Sequence, residues 1–178
     1  MLLLNYFTHI SEKASIMSLE ITVKELPGRQ LAGMVIRTNM QKASIDCPAI
    51  WQTFGPRMAS LSGNAEAEFG ESYGLSVMVS EDGTFDYWAA VEMTDEMSAD
   101  VPLPEDMVPV ELPGRLYACA TVPNLAQVAE AYGTMYMEWP QQQSEYGVNM
   151  QAPCVEVYRG NWTPNDPVEL WVPVMKIA

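Results

Sequence analysis

One pentapeptide occurs twice. Glu25-Leu26-Pro27-Gly28-Arg29 returns letter for letter as Glu111-Leu112-Pro113-Gly114-Arg115, 86 residues later in a chain of 178. The segments after the two copies also match in type. The first copy leads into a strand pattern at Gln30–Thr38 and a helical stretch, beginning near Cys47-Pro48, with Ile50, Trp51, Phe54 and Met58, and Pro56 must either sit in that helix or end it. The second leads into a strand at Leu116–Val122, then Pro123 and Asn124, a plausible N-cap. The helix beyond carries Leu125, Val128, Tyr132, Met135 and Trp139 on one stripe, and Pro140 is expected to end it. Two further strands complete each half: Tyr73–Val79 with Thr84–Met93, turned by Asp82-Gly83, and Cys154–Tyr158 with Val168–Val174.

These patterns predict an α+β fold of two pseudo-symmetric strand-helix-strand-strand modules with antiparallel sheet. A half of this size cannot cover both faces of its sheet, so the modules should associate about a pseudo-twofold axis with a ligand groove between them. The expected organisation is an extension over 1–16, outside the fold, and a single domain over 17–178. Within it lie a first module at 19–93, an acidic, proline-rich linker at 94–109, and a second module at 110–178.

In the strand Cys154-Val155-Glu156-Val157-Tyr158 the valines share one face, and Cys154, Glu156 and Tyr158 share the other. A carboxylate withdrawn from water without a partner costs several kcal/mol, on the order of a large pKa shift. The face of Glu156 must therefore meet water, a basic side chain or an external cation. Pairing with Val168–Val174 could bring Trp171 beside it, an acid walled by aromatic rings that suits a lipophilic cation. An edge-strand glutamate facing solvent is the other reading. Trp88 and Trp171 occupy roughly corresponding strands of the two halves.

Composition narrows the choice of partner. A formal net charge of −14 disfavours direct nucleic-acid binding and anionic membranes and favours cationic partners, although solubility alone also accounts for it. Cys47, Cys119 and Cys154 form no CxxC and are odd in number, so neither a zinc site nor a disulfide framework is expected, and a reducing cytoplasm suits the chain. His9 is the single histidine, which leaves the folded body without a Ser-His-Asp triad or most metal sites. No phosphate-cradling glycine motif occurs, and no cofactor is expected. The run Leu2-Leu3-Leu4 is too short for a membrane span.

The order ELPGR, Tyr73-Gly74-x-Ser76, Phe85-Asp86-Tyr87-Trp88, Met135-Tyr136-x-Glu138-Trp139, Pro153-Cys154-Val155-Glu156-Val157-Tyr158 and the Val168–Val174 strand resembles the GyrI-like effector-binding domains of AraC-type and MerR-type multidrug regulators. Within that family it is most similar to the integron-associated effector-binding proteins. The resemblance covers about Leu19 to the C-terminus. It implies a stand-alone protein that binds lipophilic cationic aromatic compounds in the cleft between modules, with Glu156 in the place of the family's acidic determinant. Val155 replaces the family's usual Phe. The aromatic wall it implies comprises Trp88, Trp171, Tyr132, Tyr136 and Trp139, with Trp51 and Tyr73 as further members, and thirteen methionines would add adaptable surface or fill the core. The alternative it implies is a hydrolase of cyclopropane-bearing genotoxins, with Glu156 as general base and Trp88 holding the electrophile. A homodimer or a separate transcription factor is left open as the macromolecular partner; a topoisomerase, the target of gyrase-inhibitor relatives, has no feature in its favour.

Overall fold

A computed structural model describes residues 19–61, 70–93 and 103–177. The expected extension at 1–16 lies outside them. The elements are β1 (Thr22–Leu26), β2 (Arg29–Asn39), α1 (Ala43–Leu61), β3 (Glu71–Met78), β4 (Thr84–Glu92), β5 (Val108–Leu112) and β6 (Arg115–Val122), followed by a second helical stretch. That stretch runs through a 3-10 turn (Leu125–Gln127), α2 (Val128–Gly133), a π turn (Thr134–Glu138) and α3 (Trp139–Gln142), and β7 (Tyr146–Val148), β8 (Cys154–Arg159) and β9 (Val168–Lys176) complete the chain. The fold is α+β, as expected.

The differences from expectation are local. Two short strands, β1 and β5, carry the first residues of each ELPGR copy, so β5 begins inside the stretch read as linker, of which 94–102 lies outside the described residues. Helix α1 contains both Pro48 and Pro56. Pro140 does not end the second helix, which continues to Gln142; the π turn before it widens the helix where a proline ring would otherwise strike the carbonyl four residues back. Asn124 starts that helix without a side-chain cap, and the Leu125 N–H donates instead to the Pro164 carbonyl at 3.0 Å. The Asp82-Gly83 turn is present, with Gly83 at φ +87°.

All strand pairs are antiparallel, in the order β1-β6-β9-β8-β3-β4-β2-β5, with β7 on β9. This order is a palindrome of the duplication: β1, β6, β9 and β8 of one half mirror β5, β2, β4 and β3 of the other. The register locates its centre. Met34 pairs with Ala89, Ala89 with Gly74, Gly74 with Glu156, Glu156 with Leu170, and Leu170 with Ala120. Met34 and Ala120 stand 86 residues apart, as the two pentapeptides do. Gly74 and Glu156 are therefore counterparts that pair with each other, and the pseudo-twofold axis passes between them. By the same register Trp171 corresponds to Ala90, not to Trp88.

Strands β1 and β2 lie near opposite ends of the order yet are joined by Pro27-Gly28 alone, and β5 and β6 by Pro113-Gly114, so the sheet must curl until its edges approach. Inside the curl Leu26 and Leu112 of the edges pack with Leu75, Val155 and Val157 of the centre. On the outer face, Ile50 and Phe54 of α1 cover one half, and Val128, Ala131 and Met135 cover the other. The central pair lies between these two cores.

The two proline-glycine turns meet back to back: a Cβ on Gly114 would lie 2.8 Å from the Gly28 nitrogen and 3.2 Å from the Leu26 carbonyl oxygen. Backbone cannot rotate away as a side chain can. Gly114→Ala is expected to cost about 1–3 kcal/mol, the range for overpacking, read as a lower urea midpoint with unchanged slope. An unchanged midpoint would mean the turns do not close the sheet.

Candidate functional site

A cavity of about 940 Å³ opens over the central pair, between α1 and the second helix. Its floor follows from strand alternation. Ser72, Gly74, Ser76 and Met78 of β3, Cys154, Glu156 and Tyr158 of β8, and Phe85 and Tyr87 of β4 share the outer face. Helix α1 adds Cys47, Trp51 and Met58, the second helix adds Tyr132 and Tyr136, and the loop after β8 adds Trp162. Among the described lining residues, charge is confined to one carboxyl.

Three phenols hold that carboxyl. The Tyr158 hydroxyl donates to Glu156 Oε2 at 2.7 Å, the Tyr87 hydroxyl to the same oxygen at 2.9 Å, and the Tyr132 hydroxyl to Oε1 at 3.3 Å. Tyr87 is itself fixed by the Trp51 indole N–H, which donates to its oxygen at 2.9 Å. Trp51 also meets Tyr158 edge to face at 5.1 Å between ring centroids, and Tyr158 meets Trp162 at 4.6 Å. The acid sits in a frame of hydroxyls and ring edges.

None of the ion pairs among the described residues includes Glu156. Arg37 pairs with Asp86, Arg57 with Asp106, Arg29 with Glu92, and Arg159 with Glu71 and Glu169. Arg115 shares the inner face with Tyr117 and Cys119, across the sheet from the cavity. Burial therefore pushes the Glu156 carboxyl above its ordinary range, and the three tyrosine hydrogen bonds, which favour the charged form, only partly oppose it. Burial and the nearby carboxylate push the Cys47 thiol up to about 12, and burial raises Cys154 as well. Both are neutral, soft wall groups near pH 7. Among the described residues no cluster of histidine, cysteine and acidic side chains could hold a metal ion.

Of the side chains read from sequence as a binding wall, Glu156, Tyr132, Tyr136 and Trp51 line the cavity. Trp88, Trp171, Tyr73 and Trp139 do not. Register explains Trp171: Leu170 is the residue opposite Glu156, which turns the indole of Trp171 to the inner face. Trp88 and Tyr73 lie on that face too, and Trp139 packs on the core beneath the second helix. The acid and indole required for the hydrolytic alternative are thus on opposite sides of the sheet. Tyr73 and Trp171 enclose the protein's own cation, with the Arg29 guanidinium 5.4 and 5.6 Å from their ring centroids and Nη1 donating to Glu92 at 2.7 Å. Sequence reasoning did not single out Tyr87, Tyr158, Trp162 or Phe85. Alternation already placed Tyr158 beside Glu156, and the acids Asp86 and Glu92 on the Trp88 face of β4 were a signal that Phe85 and Tyr87 point the other way.

The profile of the integron-associated effector binding protein family matches residues 22–174. The chain belongs to this family, as its resemblance to the integron-associated group suggested. Its fold is similar to that of an integron cassette protein from the mobile metagenome of Vibrio cholerae, with TM-score 0.62 and 17% identity over 89% of this chain and 99% of that one. It is equally similar to SAV2435, solved bound to tetraphenylphosphonium, with TM-score 0.62 and 17% identity over 88% and 94%. The C-terminal domain of EcmrR has TM-score 0.60 and 13% identity over 90% and 100%. No curated protein matches in sequence. Among the described residues no helix is long and apolar enough to cross a membrane.

A raised carboxyl pKa has a defined consequence for stability. The folded state keeps a proton that the unfolded chain gives up near pH 4.5, so the favourable neutral form is complete below that pH and is lost as pH rises through the folded value. Glu156→Gln removes this dependence. The melting temperature of the Gln variant is expected to gain on that of the wild type between pH 4 and pH 8, by scanning calorimetry, and a constant gap would mean the carboxyl is not desolvated.

Proposed function

We propose that this member of the integron-associated effector-binding family is a receptor for lipophilic aromatic monocations, held in the cavity with Glu156 as counter-charge and Tyr132, Tyr136 and Trp51 in the wall. The observation that carries this reading is a half-buried carboxyl with three hydroxyl donors, no cationic partner among the described residues, and an open apolar chamber above it. In such surroundings an opposite charge is worth far more than in water. The guest must also lose its hydration cheaply. A compact ammonium would not, whereas a cation whose charge is spread under aryl groups has little hydration to lose and offers ring surface to Trp51, Tyr158 and Trp162.

The hydroxyls refine the choice. They already occupy the carboxylate oxygens, so the guest needs no N–H donors, which suits phosphonium and quaternary or delocalised nitrogen cations. Met40, Met58, Met78 and Met150 line the same chamber and can re-pack around guests of different outline. A chamber of about 940 Å³ is of the size that encloses a drug-sized molecule. That SAV2435, a protein of similar fold, was solved with tetraphenylphosphonium supports the ligand class. Readout through a homodimer or a separate transcription factor is part of the proposal, in line with the fold shared with the C-terminal domain of EcmrR.

Titration calorimetry with tetraphenylphosphonium tests the reading. Glu156→Gln is expected to weaken binding by about tenfold or more, equivalent to ~1.4 kcal/mol, and the exposed Glu81→Gln to change it by less than about twofold. Equal affinity in wild type and Glu156→Gln would remove the charge-pairing basis.

A further inference from the structure

We propose that Gly74 is a positioning residue that sets the charge specificity of the cavity, a role resting on the cation reading above. Duplication of one module places counterpart residues next to each other at the axis, and there the chain carries Glu156 on one side and Gly74 on the other. Only one of the two positions can bear a side chain. A Cβ built on Gly74 would lie 2.6 Å from the Tyr87 hydroxyl oxygen, 3.2 Å from Tyr87 Cζ and 2.7 Å from Glu156 Oε2. The space above Gly74 is thus where Tyr87 and the carboxyl meet, and the bare strand lets them do so.

A methyl group there would displace the tips of two side chains, not backbone. The strand can keep its pairing with β4 and β8 while the hydroxyl and carboxyl separate. Tyr87 is buried and anchored by Trp51, so the carboxyl is the more mobile of the two. Gly74→Ala should therefore leave the chamber and detach its charge from the frame. Affinity for a cation and affinity for a neutral molecule of like shape then part company.

The test compares wild type, Gly74→Ala, Tyr87→Phe and the double variant with two probes, tetraphenylphosphonium and neutral triphenylphosphine oxide, and follows the Glu156 carboxyl by 13C NMR titration without ligand. Gly74→Ala is expected to weaken the phosphonium by about tenfold and the phosphine oxide by less than about threefold, and to move the carboxyl titration to higher pH. Removal of the Tyr87 oxygen takes away the nearest of the three atoms the methyl meets and one of the hydrogen bonds it would break, so in the Tyr87→Phe background the effect of Gly74→Ala on the titration should fall by about half or more. Equal losses for both probes, an unmoved titration, or additive effects in the double variant would overturn the proposal. If Gly74→Ala does not fold, the double variant is expected to fold, and its failure too would overturn it. Equal phosphonium binding by wild type and Glu156→Gln would refute the cation reading and with it the specificity role, whereas the ligand-free titration separately decides whether Gly74 positions the carboxyl.

Discussion

The site depends on one costly group, the carboxyl of Glu156, half-buried at the floor of the chamber and held by phenols, with no basic partner among the described residues. Each phenol is contributed by a different element: Tyr87 by β4, Tyr132 by α2, and Tyr158 by the strand of Glu156 itself. A basic side chain in their place would close the site by supplying the charge internally. Hydroxyls satisfy the oxygens without cancelling the charge, and this is the basis of the cation preference proposed for the chamber above.

The same chemistry occurs twice in the molecule with opposite outcomes. On the inner face, Tyr73, Trp171 and Glu92 surround Arg29, the last residue of the first pentapeptide, so that an aromatic and acidic cage is filled by the chain's own cation. On the outer face a carboxyl and a set of rings face a chamber. Duplication explains where the chamber lies, because the two helical cores each cover one half of the sheet and leave the axis between them.

Much of this was legible in the sequence, for identifiable reasons. The repeated pentapeptide has no local function strong enough to make coincidence attractive, and strand-helix-strand-strand order after each copy fixed the modules. Alternation isolated Glu156 from its valines. Register between strands is beyond the reach of alternation, and the misplaced wall residues result from that. Whether Leu170 or Trp171 stands over Glu156 depends on the pairing of β8 with β9. In β4 the largest side chain, Trp88, suggested a binding wall, but hydrophobic size alone does not tell the inner face of a curled sheet from the outer. Tyr73 and Trp171, read as walls for a guest cation, flank the chain's own Arg29 on the inner face instead, which only the strand register and the position of Arg29 show. The short strands β1 and β5 and the π turn before Pro140 depend on sheet closure and helix widening, which local pattern does not encode.

Charge pairing in the chamber requires a carboxyl that is protonated when the chamber is empty and becomes a charged partner when a cation enters. Proton exchange measures this directly, through the dependence of calorimetric binding enthalpy on buffer ionisation enthalpy with tetraphenylphosphonium as the guest. Wild type should release protons on binding over the pH range in which the empty carboxyl is still protonated, and Glu156→Gln should release none. Binding of the phosphonium without proton release at any pH between 4.5 and 8, or equal release by the Gln variant, would contradict it.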